Sequence, residues 1–89
     1  PSPSRRPRAT ATPASRDKIE DRRQALLRLM LQDPSNLDVA FEYAALSSQV
    51  GDYEAAVSTL ERMLIFAPNT PRLQLELGIL YYRLGSYEV

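Results

Sequence analysis

Displacing the sequence by 34 residues lays its second half over its first. Gly51-Asp52-Tyr53-Glu54 then falls on Gly85-Ser86-Tyr87-Glu88, with Gly, Tyr and Glu identical. The same shift matches Glu20 with Glu54, Leu26 with Leu60, Arg28 with Arg62, Pro34 with Pro68, Glu42 with Glu76 and Leu46 with Leu80. From Ile19 onward this makes nine identities in 37 pairs, several times what chance supplies. A chain that repeats itself at a fixed period of this length builds one supersecondary unit over and over. Each unit covers the apolar face of its neighbour, because none can bury that face alone.

Within the period, the local signals are helical. Asp17 with Glu20 has the capping-box pattern, and Ile19, Leu26, Leu29 and Met30 then recur at helical spacing as far as Gln32, where Asp33-Pro34 breaks the run. This predicts a first helix over about 17–32. Asn36 caps a second over about 37–50, with an inward stripe of Val39, Ala40, Tyr43, Ala44, Leu46 and Ser47, and Gly51 supplies the left-handed residue that ends it. Asp52 caps a third over 53–66, carrying Ala56, Val57, Leu60, Met63 and Leu64 on one face. Thr70-Pro71 starts a fourth over 71–84, with proline in the first turn, where its missing N–H is harmless. Gly85-Ser86 is expected to repeat the stop and start. With no alternating β-rich segment, the chain reads as all-α.

Composition narrows the chemistry. The chain has neither cysteine nor histidine, which removes disulfides, thiolate or imidazole metal ligands, and Ser-His or Cys-His catalysis. Lys18 is the only lysine and stands next to the tail, an improbable setting for a buried Schiff-base amine. Residues 1–16 hold four arginines, four of the seven prolines and no large apolar side chain. They read as a disordered basic tether that cannot offset its own ordering entropy, with a basic arm for an anionic surface or a phosphorylation site as the alternative. Residues 17–89 carry seven basic against eleven acidic side chains, so the folded part is acidic and unsuited to nucleic-acid phosphates. No apolar run approaches the roughly 18 residues a membrane span requires. Ser4-Arg5-Arg6 has the opening of a twin-arginine export signal, but Pro7, Arg8 and Thr10 stand where its apolar core belongs. A first residue of Pro1 leads to the expectation that the chain is a processed or excised piece.

Over residues 17–89 the sequence resembles the tetratricopeptide repeat family. The small residue of the family's first helix matches Ala44 and Gly78, and the large residue before it matches Tyr43 and Leu77. The turn glycine matches Gly51 and Gly85, the aromatic opening the second helix matches Tyr53 and Tyr87, the small residue within that helix matches Ala56, and the closing proline matches Pro34 and Pro68. Small residues there let antiparallel helices approach closely. The chain departs from the pattern at Ala40 and Gln74, where the family often has Trp, and at Met63, where it usually has Ala. It departs also at Arg22, which takes the place of a buried small residue and marks the first helix as an edge element. The resemblance implies an all-α superhelix of helix-turn-helix units.

It also implies where a partner sits, on the inner face of each unit's first helix. By the match this face carries Asp38, Phe41, Glu42, Ala45 and Ser48 in the first unit. In the second it carries Arg72, Leu75, Glu76, Ile79, Tyr82 and Arg83. Phe41, Ala45 and Ser48 replace the Lys and Asn pairs of members that clamp chaperone tails, so that use is not expected. Phe41, Leu75, Ile79 and Tyr82 form an apolar strip suited either to an amphipathic helix or to cover by neighbouring helices. Glu42 and Glu76 read as stacked solvated acids rather than a catalytic pair, and Tyr81-Tyr82 as one core and one surface residue.

The second unit lacks its closing helix, since the sequence ends three residues into it. Leu73, Leu77, Leu80, Tyr81 and Leu84 are therefore expected to form an exposed edge, available for self-association. A further resemblance, over 60–89, is to the tetratricopeptide segments that precede a β-barrel in some bacterial outer-membrane proteins, where the repeats lie in the periplasm; a cytoplasmic location is the alternative. Together these point to a non-enzymatic protein-interaction module without cofactor or metal, binding a protein or peptide and no nucleic acid. The alternative is a structural or homo-oligomerisation element of a larger repeat protein.

Overall fold

The computed structural model describes residues 13–88, which form four helices: α1 (Pro13–Gln32), α2 (Leu37–Gln49), α3 (Tyr53–Phe66) and α4 (Pro71–Glu88). Among these residues there is no strand. Each helix packs on the one that follows it: α1 on α2, α2 on α3, α3 on α4. Links of three or four residues force neighbours to run antiparallel.

The punctuation at the inner helix ends acts as its residue types dictate. Asn36 Oδ1 accepts the Val39 N–H at 3.2 Å and so caps α2. Asp52 Oδ1 does the same for α3 through the Ala55 N–H, also at 3.2 Å. Gly51 takes φ 84°, the only positive φ among the described residues, and lets the chain turn from α2 into α3. Its N–H donates to Ser48 O and that of Asp52 to Ser47 O, so the orphan carbonyls of α2 are satisfied in the turn.

Two boundaries differ from the sequence reading. α1 begins at Pro13, one turn before Asp17. Nothing in Ala14-Ser15-Arg16 breaks a helix and proline is tolerated at a first helical position, so Asp17 and Glu20 lie inside α1 instead of capping it. The rest of the expected disordered tail, residues 1–12, lies outside the described residues. At the other end, α4 continues through Gly85 to Glu88 instead of stopping at Leu84. A glycine within a helix costs only about 1 kcal/mol relative to alanine, too little to stop it unaided. At Gly51, by contrast, the backbone turns at φ 84°, α3 packs back on α2, and Asp52 is held by Arg23.

The core is a single cluster of Ala40, Phe41, Ala44, Ala56, Leu60, Met63, Leu73, Leu77 and Leu80, with Leu26 buried beside it on α1. Small residues on α2 and α3 allow close approach, and the leucines of α4 fill the space towards α3. Thr59 and Ser47 are buried as well.

Candidate functional site

The expected exposed edge is the first correction. Leu73, Leu77 and Leu80 are buried, Leu73 completely, because this side of α4 is the one that packs on α3. Leu84 is half-buried. Tyr81 stays half-exposed and donates its hydroxyl to Glu61 Oε2 of α3. That hydrogen bond first, and partial burial second, favour the neutral phenol and raise the Tyr81 pKa above its ordinary value. Tyr82 is exposed too, so Tyr81-Tyr82 holds no core member.

The expected groove is corrected at one residue. Phe41 is buried in the core, with the Arg72 guanidinium 3.9 Å above its ring centroid. The planar cation lies with one face on the negative face of the ring while more than half of the side chain stays exposed to water. Arg72 Nε also donates to Glu76 Oε2 at 2.8 Å, one turn on. Asp38, Glu42, Ala45, Arg72, Leu75, Ile79, Tyr82 and Arg83 are exposed, while Ser48 and Glu76 are intermediate. Between α2 and α4 lies a shallow cleft of about 270 Å³ bordered by Ala45, Ser48, Leu75, Glu76, Ile79 and Arg83. Without Phe41, the exposed apolar residues of the expected strip, Leu75, Ile79 and Tyr82, all lie on α4.

α4 is apolar on two opposed faces. At about 100° per residue, Leu75, Ile79 and Tyr82 stack within one narrow sector, opposite Leu73, Leu77 and Leu80. The first set is 65%, 46% and 77% exposed. Leu75 stands one period after Phe41. The earlier residue is covered by Arg72 of the next helix but one, and no such cover exists for Leu75 among the described residues.

The polar contacts knit helices together. Arg22 is not a buried misfit: it is exposed and grips Glu42 with two bonds, Nε to Oε2 at 2.7 Å and Nη2 to Oε1 at 2.9 Å. This hydrogen bonding holds the Glu42 carboxyl below its ordinary range and lifts the Arg22 guanidinium above its own. The buried arginine is Arg23, 8% exposed, a residue that sequence reasoning passed over. Its Nη1 donates to Glu20 Oε2 at 2.7 Å, and its Nη2 to Tyr43 Oη at 3.3 Å and Asp52 Oδ2 at 2.9 Å. Burial, the largest influence, opposes its charge, but the bonds to Tyr43 and Asp52 and the nearby Glu20 together outweigh it and raise its pKa. Its partners Tyr43 and Asp52 are 20 and 29 residues downstream, so no local pattern announced the role.

A larger opening lies between α1 and α3, a cleft of about 720 Å³ with Leu27, Met30 and Leu31 on one side and Ile65 and Phe66 on the other. The sequence signal for it was present but unread: Leu31 and Ile65 are one period apart, as are Arg28 and Arg62, which also line it.

Among the described residues, no group of three or more Asp and Glu side chains could hold a metal ion, and no helix is long and apolar enough to cross a membrane. No family model, curated protein or solved structure matches the chain.

Proposed function

We propose that the chain is a non-enzymatic protein-interaction module of the tetratricopeptide type, in which the exposed apolar face of α4 and its border with α2 receive a helix of a partner protein. The observation that carries this reading is the opposition of Leu75, Ile79 and Tyr82 to Leu73, Leu77 and Leu80. A helix apolar on both sides is a helix meant to be covered twice, and α3 covers one side only. The 34-residue period supports the same reading, because at the equivalent earlier position Phe41 is already covered from a later helix. The occupant this implies is another helix, seated as α4 is seated beside α2.

The test places a photo-crosslinking side chain at Ile79, or at exposed Ser58 of α3 as control, in the full chain expressed in its own cells. Adducts with a foreign protein from position 79 and none from position 58 are the expected result. Adducts only between copies of the chain, with a concentration-dependent dimer in sedimentation equilibrium, would replace this reading by homo-oligomerisation. Equal labelling from both positions would overturn a dedicated face.

A further inference from the structure

Arg28 and Arg62 are exposed, stand one period apart on α1 and α3, and line the same cleft. Three other arginines of the fold are matched with acids: Arg22 with Glu42, Arg23 with Glu20 and Asp52, Arg72 with Glu76. Among the described residues, neither Arg28 nor Arg62 has such a partner, and no acidic residue lines the cleft. Two unmatched cations on an otherwise acidic fold are a local reversal of charge. They flank an apolar floor in which Leu31 and Ile65 are 83% and 79% exposed, and Phe66 more than half exposed, above buried Met63.

The repeat makes this a ladder: Arg28 and Leu31 on α1 are reproduced as Arg62 and Ile65 on α3, each pair three residues apart and so on adjacent helical turns. We propose that this cleft is a second docking surface, separate from the α2 and α4 face, for an amphipathic helix of a partner protein whose apolar stripe is flanked by Asp or Glu. The charges select this occupant. A second copy in symmetric contact would set Arg28 and Arg62 against themselves, like charge on like charge. The chain's own residues 1–12 carry three arginines and no acid, so they are repelled for the same reason. An anionic membrane would meet the acidic remainder of residues 17–89, and a concave cleft fits a cylinder better than a plane. For a helix, apolar residues three and four apart fill the floor, and acids on their flanks meet the two guanidinium groups.

The test screens a displayed library of 14-residue helical peptides, with apolar residues fixed at i, i+4, i+7 and i+11 and all other positions random, against the full chain. It is repeated against the double variant Arg28→Glu with Arg62→Glu, whose fold is checked by its thermal melt. The expected result is enrichment of Asp and Glu beside the fixed stripe. Selected peptides should bind the double variant about tenfold more weakly or worse, and NMR shifts on the unaltered chain should centre on Leu31, Ile65 and Phe66. Any one of the following overturns the proposal: binders without acidic enrichment, binders indifferent to the charge reversal, or shifts centred on Leu75 and Ile79. It is equally overturned by failure to enrich any binder, by self-association that Leu31→Glu abolishes, or by binding to phosphatidylglycerol vesicles that the double variant loses.

Discussion

Arg23 of α1 holds the residue that starts α3: its Nη2 lies 2.9 Å from Asp52 Oδ2, while Asp52 Oδ1 accepts the Ala55 N–H. One carboxylate thus caps a helix and neutralises a buried cation from another helix. Asp52→Ala is predicted to lose both functions, at about 2 to 3 kcal/mol: about 1 for the cap and the rest for a guanidinium left short of a partner, discounted because Asp52 itself is exposed. Asp52→Asn keeps the capping oxygen and should recover part of the loss. Urea denaturation of both variants checks this: equal losses would mean that the ion pair with Arg23 alone matters, and no loss in Asp52→Asn that the cap alone does.

Leu73 and Leu75 are two residues apart and opposite in consequence. Leu73→Ala empties a fully buried site and should cost about 2 to 5 kcal/mol, enough to unfold much of a domain this small. Leu75→Ala alters an exposed side chain and should stay within about 0.5 kcal/mol in the isolated chain. A large loss at Leu75 in thermal melts would show that its face is already covered in solution, by a second copy.

The Arg22–Glu42 contact carries a pH dependence whose sign follows from its direction. Pairing lowers the Glu42 pKa, so the contact stabilises the fold above the ordinary glutamate range and is lost as the pH falls through the depressed value. Carbon-detected NMR of the Glu42 carboxyl should therefore give a midpoint below that ordinary range, and Arg22→Ala should return it there. Both side chains are about half exposed, so salt should weaken the effect.

Apart from the Asp17–Glu20 cap and the Gly85 stop, local signals that α1 and α4 run through, what sequence reasoning reached and what it missed divide by the range of the interaction. Asn36, Gly51, Asp52 and Thr70-Pro71 were legible because a cap or turn is settled by residues within about four positions of each other. Arg23 was not, since its partners at Tyr43 and Asp52 come near only once three helices are assembled. For α4, both apolar stripes could be read from spacing, but spacing does not say which one α3 will meet. Leu73, Leu77 and Leu80 were placed at an open edge because a closing helix was expected to be their cover, whereas α3 already buries them. Phe41 was placed on the partner face by the family match, as was its period-mate Leu75; in the structure Phe41 joins the core cluster and Arg72 lies over its ring, while Leu75 is exposed. The repeat was informative about which residues are equivalent, and silent about which equivalents have neighbours.

Gly51 and Gly85 turn that last point into an experiment, because they are equivalent by sequence and different in structure. Gly51 sits at φ 84°, where a Cβ is strained even though the space around it is open, so Gly51→Ala should destabilise by about 1 kcal/mol. Gly85 lies inside α4 without a positive φ, and a methyl added there would meet nothing within 4 Å. Gly85→Ala should therefore stabilise by about 0.5 to 1 kcal/mol through higher helix propensity. Opposite signs in paired thermal melts would mean that the turn at Gly51 is made by α3 and Asp52 and that glycine only permits it. Destabilisation at both positions would mean that Gly85 also forms a turn in solution, with α4 ending near Leu84 and its last residues free to begin another helix.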